Sequence, residues 1–287
     1  MADVVIDAMV AEAVRSARPE FAGDLQSLSW SSMAVGGIFG SLLGGYALSN
    51  LPIHAIYVVF SALPFLKLVS CMFVEDSPKG FHSANDEHKP MAWFFLSNVT
   101  ISNISTVMFY YQTEDLNLEV SFLGTARVIG WFSLMLGTYT YNRYFKQKKL
   151  RNILVFAHVG LAVITLLDII LVSRLHVQYG IADKYMVLWG SALADAINQF
   201  KMMSFLILSG QLCPPGIEGT LFALFMSINN LGSTLGSFLG SALASALNLT
   251  TGQFDNLALG LGVQMICTLL PIGFLSLIPK EVTGLTS

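Results

Sequence analysis

The chain has 287 residues, of which 54% are hydrophobic and 11% charged, and its formal net charge is −3. Soluble domains carry about 25% charged residues, so the composition excludes an ordinary water-soluble globule and points to lipid as the solvent. A charge this close to neutral gives no basic surface for nucleic acid, and no nucleic-acid partner is expected.

In chain order, residues 1–14 read as the end of a helix that places Asp3 and Asp7, four apart, on one face. Acidic residues follow Met1 closely, so the basic region that opens a signal peptide is missing. Long stretches then lack Asp, Glu, Lys and Arg altogether: Leu25 to Leu66, Pro90 to Thr113, Gly219 to Phe254 and Asn256 to Pro279. A helix needs about 20 predominantly apolar residues to cross a bilayer. The pattern predicts eight spans, over 27–49, 53–74, 91–112, 120–142, 152–173, 184–210, 219–247 and 257–279. Asn50-Leu51-Pro52, Cys213-Pro214-Pro215-Gly216 and Thr251-Gly252 mark turns between them. The longest connection, 75–90, is polar and rich in helix breakers and reads as an interdomain loop. The expected fold class is all-α, a polytopic protein of the lipid bilayer.

Basic residues are distributed unevenly among the loops. Arg15, Arg18, Lys79, Lys89, Arg143, Lys146, Lys148, Lys149, Arg151 and Lys280 fall in alternate loops or the tail, against only Arg174 and Lys184 in the opposite ones. Positively charged loops stay on the cytosolic side, which puts 15–26, 75–90, 143–151 and 211–218 there. The patch from Lys146 to Arg151 is a topology signal or a contact for anionic lipid.

The chain also repeats itself at an offset of 196 residues. Gly23, Leu25, Leu28 and Ser31 fall on Gly219, Leu221, Leu224 and Ser227. Gly36, Gly40 and Gly44 fall on Gly232, Gly236 and Gly240, and Ser41 and Leu43 on Ser237 and Leu239. Glycine at every fourth position lets membrane helices approach closely. The remaining pairs, in one ungapped register, point to duplicated halves, a habit of secondary transporters. The offset assigns 1–74 to the end of a first half (the end of its fourth helix, then its fifth and sixth) and 91–287 to a six-helix second half. Counterparts of the three spans from 91 to 173 and of half the next one, about three and a half helices in all, are then expected ahead of residue 1.

The segments ADVVIDAMVAEAVR (2–15), GDLQSLSW (23–30), FLGTARVIGW (122–131), YNRYFKQKKLR (141–151), LCPPGIEGTLFALFMSINNLG (212–232) and FDNLALG (254–260) carry a resemblance. They resemble the folate–biopterin transporter family of the major facilitator superfamily, in its plant and cyanobacterial branch. The resemblance implies a major facilitator fold of two pseudo-symmetric helix bundles. It implies folate or pterin substrates, carried as monoglutamates or simpler pteridines, and proton coupling. The run FKMMSFLIL at 200–208 departs from the apolar, proline-containing stretch expected there.

An ionisable side chain in mid-membrane costs about 2.5–3.5 kcal/mol on insertion scales, so it faces a cavity or a partner. A pterin ring presents an amino group and a ring N–H side by side, which a carboxylate accepts as a pair; Asp7 and Asp195 are the candidates. The two carboxylates of a folate tail would be held by Arg127 or Lys201, with Gln199 on the same helix face as Asp195. Asp3, Asp7 and Asp168 are candidates for proton coupling. For each, the alternative is an ion pair that locks two helices together. Lys67 lies near the end of its span and can snorkel. Over 91–112, Asn98, Ser102, Ser105 and Gln112, with Thr106 beside them, form a polar stripe that lines a path or joins helices. Asn230, Ser233 and Ser237 read the same way over 219–247. His158, alone in an apolar helix, reads as a packed residue.

The chain contains no HExxH, GxSxG or GxxxxGK[ST], so no enzyme is expected. Cys71, Cys213 and Cys267 lie far apart and fit no metal spacing, and no cofactor is expected. The expected partners are a folate or pterin substrate and the bilayer, around a monomeric chain in the plastid envelope or the plasma membrane. Two further readings stay open: a non-transporting fragment, and a major facilitator carrier for another small organic solute.

Overall fold

The structure, a computed structural model, describes residues 22–52, 54–58, 61–62, 88–212 and 218–280. The expectations placed on Asp3, Asp7 and the interdomain loop up to residue 87 lie outside the described residues. Every regular element among the described residues is helical, apart from one isolated bridge between Thr250 and Gln253. The helices are α1 (Ala22–Asn50), α2 (His88–Thr100), α3 (Ser105–Tyr110), α4 (Val120–Thr140), α5 (Leu150–Val172), α6 (Asp183–Leu212), α7 (Glu218–Ala246) and α8 (Leu257–Gly273). α3 runs into a π-helical turn, Tyr111–Asp115, and α4 into another, Tyr141–Phe145.

Leu150–Val172 and Leu257–Leu277 are each long and apolar enough to cross a bilayer, with mean hydropathy 2.5 and 1.9, and α2 with α3 makes a third, bent span. Other helices, of up to 30 residues, are more polar. α7 carries Asn229, Asn230, Ser233, Ser237 and three spaced glycines within its length, which lowers its hydropathy without shortening it.

The span expected over 91–112 is not one helix. It is interrupted at 101–104, and its two halves are bent by 41°. Asn103 is the local cause. Its side-chain Oδ1 accepts the N–H of Ser105 at 2.9 Å, an Asx turn that takes the place of a helical carbonyl. The N–H of Asn103 itself donates to the carbonyl of Gly236 on α7 at 3.3 Å.

The repeat reaches the helix boundaries. α1 closes at Asn50 and α7 at Ala246, 196 residues apart. Their surroundings differ. At Gly232, Gly236 and Gly240 a Cβ would meet Phe95 and Asn98 or land on the backbone between 98 and 103, so α7 lies main chain to main chain against α2 and the break. At the counterparts Gly36 and Gly40 nothing among the described residues lies within 4 Å of such a Cβ. α1 packs instead on α4, where a Cβ at Gly37 would run into the Trp131 indole.

α4 packs on α6, α6 on α5, α5 on α8, and α2 on α7 and α8. Two apolar clusters sit at opposite ends of this bundle. Trp93, Phe94, Leu154, Phe205, Phe222 and Ile278 belong to the first, at the end that carries the basic residues 143–151. Ile104, Met108, Leu171, Val187, Leu257 and Leu261 belong to the second, at the other end. Polar ties close both ends. At the basic end Arg151 donates to the carbonyls of Ile278 and, at 3.3 Å, Ser276. Lys146 and Asn142 reach Asp24 of α1 at 3.4 and 2.6 Å. Two residues of the basic patch thus hold helices together as well as marking topology. At the other end Asp183 binds Arg174 at 2.9 Å and His176 at 2.6 Å, joining α5 to α6.

The contrast between the two glycine stripes gives a prediction. Gly236→Ala forces α7 away from the break and lowers stability by about 1–3 kcal/mol, the usual cost of overpacking. Gly40→Ala, at the matching repeat position, leaves it unchanged. Thermal unfolding of the two variants in detergent reads the difference.

Candidate functional site

Between the two apolar clusters the helices present polar side chains to a cavity of about 400 Å³, whose lining includes Asn98, Asp168, Asn198, Lys201, Ser237 and Gln264. Hydrocarbon on both sides makes an unpaired polar group here costly, so the pairings define the site. Lys201 of α6 donates to Asn98 Oδ1 of α2 at 2.8 Å. Asn98 Nδ2 in turn donates to Asn229 Oδ1 of α7 at 2.7 Å. An ammonium can only donate, so Asn98 must give Lys201 its oxygen and Asn229 its nitrogen. One hydrogen-bonded chain therefore ties three helices together.

Asp168 of α5 lines the same cavity nearer the other end, and no hydrogen bond or ion pair engages its carboxylate among the described residues. A second cavity, of about 320 Å³, shares Asn103, Ser105, Asp168 and Gln264 with the first and extends to Phe109 and Gln112. Those four residues border both cavities, and the break between α2 and α3 contributes Asn103 to them.

Arg127 and Asp195 are not part of this lining. Arg127 is exposed on α4 with its guanidinium over the Trp131 ring, 5.4 Å from the centroid. Asp195 of α6 lies against Gly130 of α4 and within electrostatic range of Arg127. The two form a second polar group, beside the face of α4 that packs on α1. Gln199 is 3% exposed, with its Cβ beside Gly137 of α4 and its Nε2 unpartnered. Its neighbour Asn198 is the residue in the cavity. Asn230 is exposed, and Asn229 makes the bond to Asn98.

The predicted polar stripe divides at the break. Asn98 and Ser105 line the first cavity and Gln112 the second, while Ser102 and Thr106 line neither. Ser233 and Ser237 of α7 do line the first. His158 is packed, as its isolation in an apolar helix suggests: it is fully buried, its Nδ1 lies 2.8 Å from the Thr268 carbonyl, and its ring meets Trp93 edge-on. No group of three His, Cys, Asp or Glu among the described residues is placed to hold a metal. Asn103, Asn198, Asn229 and Gln264 were not singled out from the sequence. Gln264 had a visible signal, since no other side chain of Leu257–Gly273 carries an amide or a charge.

A profile of the BT1 family matches residues 1–92 and 85–284. The chain is 50% identical to probable folate-biopterin transporter 4 of Arabidopsis thaliana, across 100% of this chain and 74% of that one. It is 31% identical to the folate-biopterin transporter of Synechocystis sp., across 96% of this chain and 59% of that one. The chain thus spans only part of the length of these relatives. Among solved structures it is similar to a bacterial homologue of the iron transporter ferroportin in an outward-facing state, with a TM-score of 0.57 and 18% identity over 92% of this chain and 66% of that one. That likeness shows the fold, an all-α arrangement of the major facilitator type.

The pairing of Lys201 with Asn98 predicts a thermodynamic cycle. Asn98→Leu leaves the ammonium without its acceptor and destabilises the protein by about 1.5–3 kcal/mol. Adding Lys201→Met removes the stranded charge and recovers most of that loss, which unfolding of the single and double variants measures.

Proposed function

Because this chain belongs to the BT1 family, we propose that it carries folates, pterins or both across a membrane as a secondary active transporter. Polar groups enclosed between two apolar clusters support this most directly. The cavity of about 400 Å³ lies within the usual range of small-molecule sites, roughly 300–1,000 Å³. Lys201 in the cavity is the cation for the carboxylates of a folate tail; Arg127 and Asp195, outside that lining, form a second contact beside the face of α4 that packs on α1, as a further cation and as the acceptor for the paired donors of a pterin ring. Asn98 holds Lys201 in its working position, while Asn198 lines the cavity and Asn229 braces Asn98, in the parts that the sequence assigned to Gln199 and Asn230.

Asp168 is the proton-coupling carboxylate in this scheme. An acid that borders two cavities and has no partner among the described residues is suited to gain and lose a proton as the path opens on one side and then the other. On sequence grounds alone, Asp3 and Asp7 join it, with Asp7 also a candidate for the pterin ring. Residues 1–74 and 91–287 act as parts of two halves, and the C-terminal ends of α1 and α7, 196 residues apart, support that division. The protein works as a monomeric carrier and not as an enzyme, without a nucleic-acid partner, in the plastid envelope or the plasma membrane.

Uptake by vesicles containing the protein tests these roles. Wild type is expected to take up labelled folate saturably, with competition from unlabelled pteridines. Lys201→Ala lowers folate uptake about tenfold, equivalent to about 1.4 kcal/mol, and lowers uptake of a pteridine lacking carboxylates less than threefold. Equal losses for both would return Lys201 to helix locking. Normal folate uptake by Arg127→Ala at normal protein level would remove that arginine from the site. Asp168→Asn is expected to abolish uphill uptake driven by a proton gradient while solute exchange continues; uphill uptake that survives excludes Asp168 from coupling.

A further inference from the structure

α2 and α3 form one span interrupted at 101–104. Within a membrane, main-chain N–H groups outside a helix persist only where protein or a water-lined cavity supplies an acceptor. Asn103 N–H has the Gly236 carbonyl, and Ser105 N–H has the side chain of Asn103. Ile104 N–H lies between them and donates to Gln264 Oε1 of α8 at 3.0 Å. Among the described residues this third acceptor is the only one of the three that is a side chain from another helix. The amide orientation follows from the partner: the N–H can only donate, so Gln264 must present its oxygen there and leave its nitrogen to the cavity.

The position of Gln264 is as informative as its bond. It lines both cavities, together with Asn103, Ser105 and Asp168. No other amide or carboxylate exists on α8 to replace it, and the hydroxyl of Thr268 is bonded to the main-chain oxygen of Gln264 at 2.8 Å. A shift of the break moves Ser105 and Asn103, and with them the lining that the two cavities share. Asn98, five residues before Asn103 and seven before Ser105, is already held by Lys201 and Asn229. The segment between the two anchors has no helical ladder of its own to fix it.

We propose that Gln264 is a positioning residue that holds the break between α2 and α3 by accepting the Ile104 N–H, and so sets the lining shared by the two cavities of the solute path. Its part in transport rests on the proposed function; the anchoring itself does not. Two variants separate the acceptor from the shape. Gln264→Met keeps the length and loses the oxygen. Gln264→Glu keeps an acceptor oxygen whether or not it is protonated.

Hydrogen–deuterium exchange of the whole protein in detergent reads the anchor directly, with peptides from α5 as the control. Gln264→Met is expected to speed exchange over 100–106 about tenfold, the effect of losing about one hydrogen bond, without changing α5. Gln264→Glu stays within about threefold of wild type. Unchanged exchange in Gln264→Met, or a full loss of protection in Gln264→Glu, overturns the proposal. If Gln264→Met unfolds throughout, Gln264→Glu decides alone: wild-type protection of Ile104 upholds the anchor, and its loss refutes it. In uptake, Gln264→Met lowers the maximal rate about tenfold with little change in half-saturating concentration, and Gln264→Glu restores most of it. A wild-type protein that carries neither folate nor pteridine ends the proposed function and leaves the exchange result to judge Gln264. Active wild type with unaltered exchange in Gln264→Met ends the anchor alone.

Discussion

A chain solvated by hydrocarbon must satisfy its own main-chain hydrogen bonds, and at 101–104 this one gives up the helix that would do so. The rest of the bundle is arranged around that interruption. α7 lacks side chains at 232, 236 and 240, so its backbone comes close enough for the Gly236 carbonyl to take the Asn103 N–H. α8 supplies Gln264 for the next N–H. Asn103 closes the turn on itself through its own side chain. Three acceptors from three places replace what a continuous helix would have contained, and they bring polar groups to the middle of an apolar bundle.

The cavity follows from the same arrangement. Helices α5, α6 and α7, and the bent span of α2 with α3, each contribute apolar residues to both clusters and polar side chains between them. Lys201 can stand in this layer because its ammonium has an acceptor, and that acceptor is itself held by Asn229. The result is a rigid polar chain at the end of the cavity nearer the basic loops, and an unpartnered Asp168 at the other. Arg127 and Asp195 belong to a different surface, turned toward the face of α4 that receives α1. The charged groups of this half are therefore divided between the interior of one bundle and its boundary with α1.

Much of the site was visible in the sequence as regions and less of it as residues. Asn98, Ser105, Lys201 and Asp168 were found because a charge or a polar stripe in an apolar run is conspicuous. Gln199 and Asn230 were each one residue from the side chain that acts, Asn198 and Asn229. On a helix one residue is a rotation of about 100°, and sequence patterns do not fix which way a membrane helix is turned when its neighbours are also apolar. The break escaped for a different reason. Asn103-Ile104-Ser105 is compatible with a helix, and what favours the turn there is an acceptor on α7 and another on α8, more than 130 residues away.

The sequence by itself determined the solvent, the all-α class, the 196-residue repeat and, to within a residue, the C-terminal ends of its two glycine-rich helices, because hydropathy and register accumulate along the chain and need no partner. Tertiary structure decided that one glycine stripe presses on a broken helix while its counterpart meets nothing among the described residues. It also decided that Lys201 bonds Asn98 rather than Asp168, and that Gln264 completes the break. Each of those outcomes depends on the relative rotation and approach of two helices, a quantity that neither helix carries in its own residues.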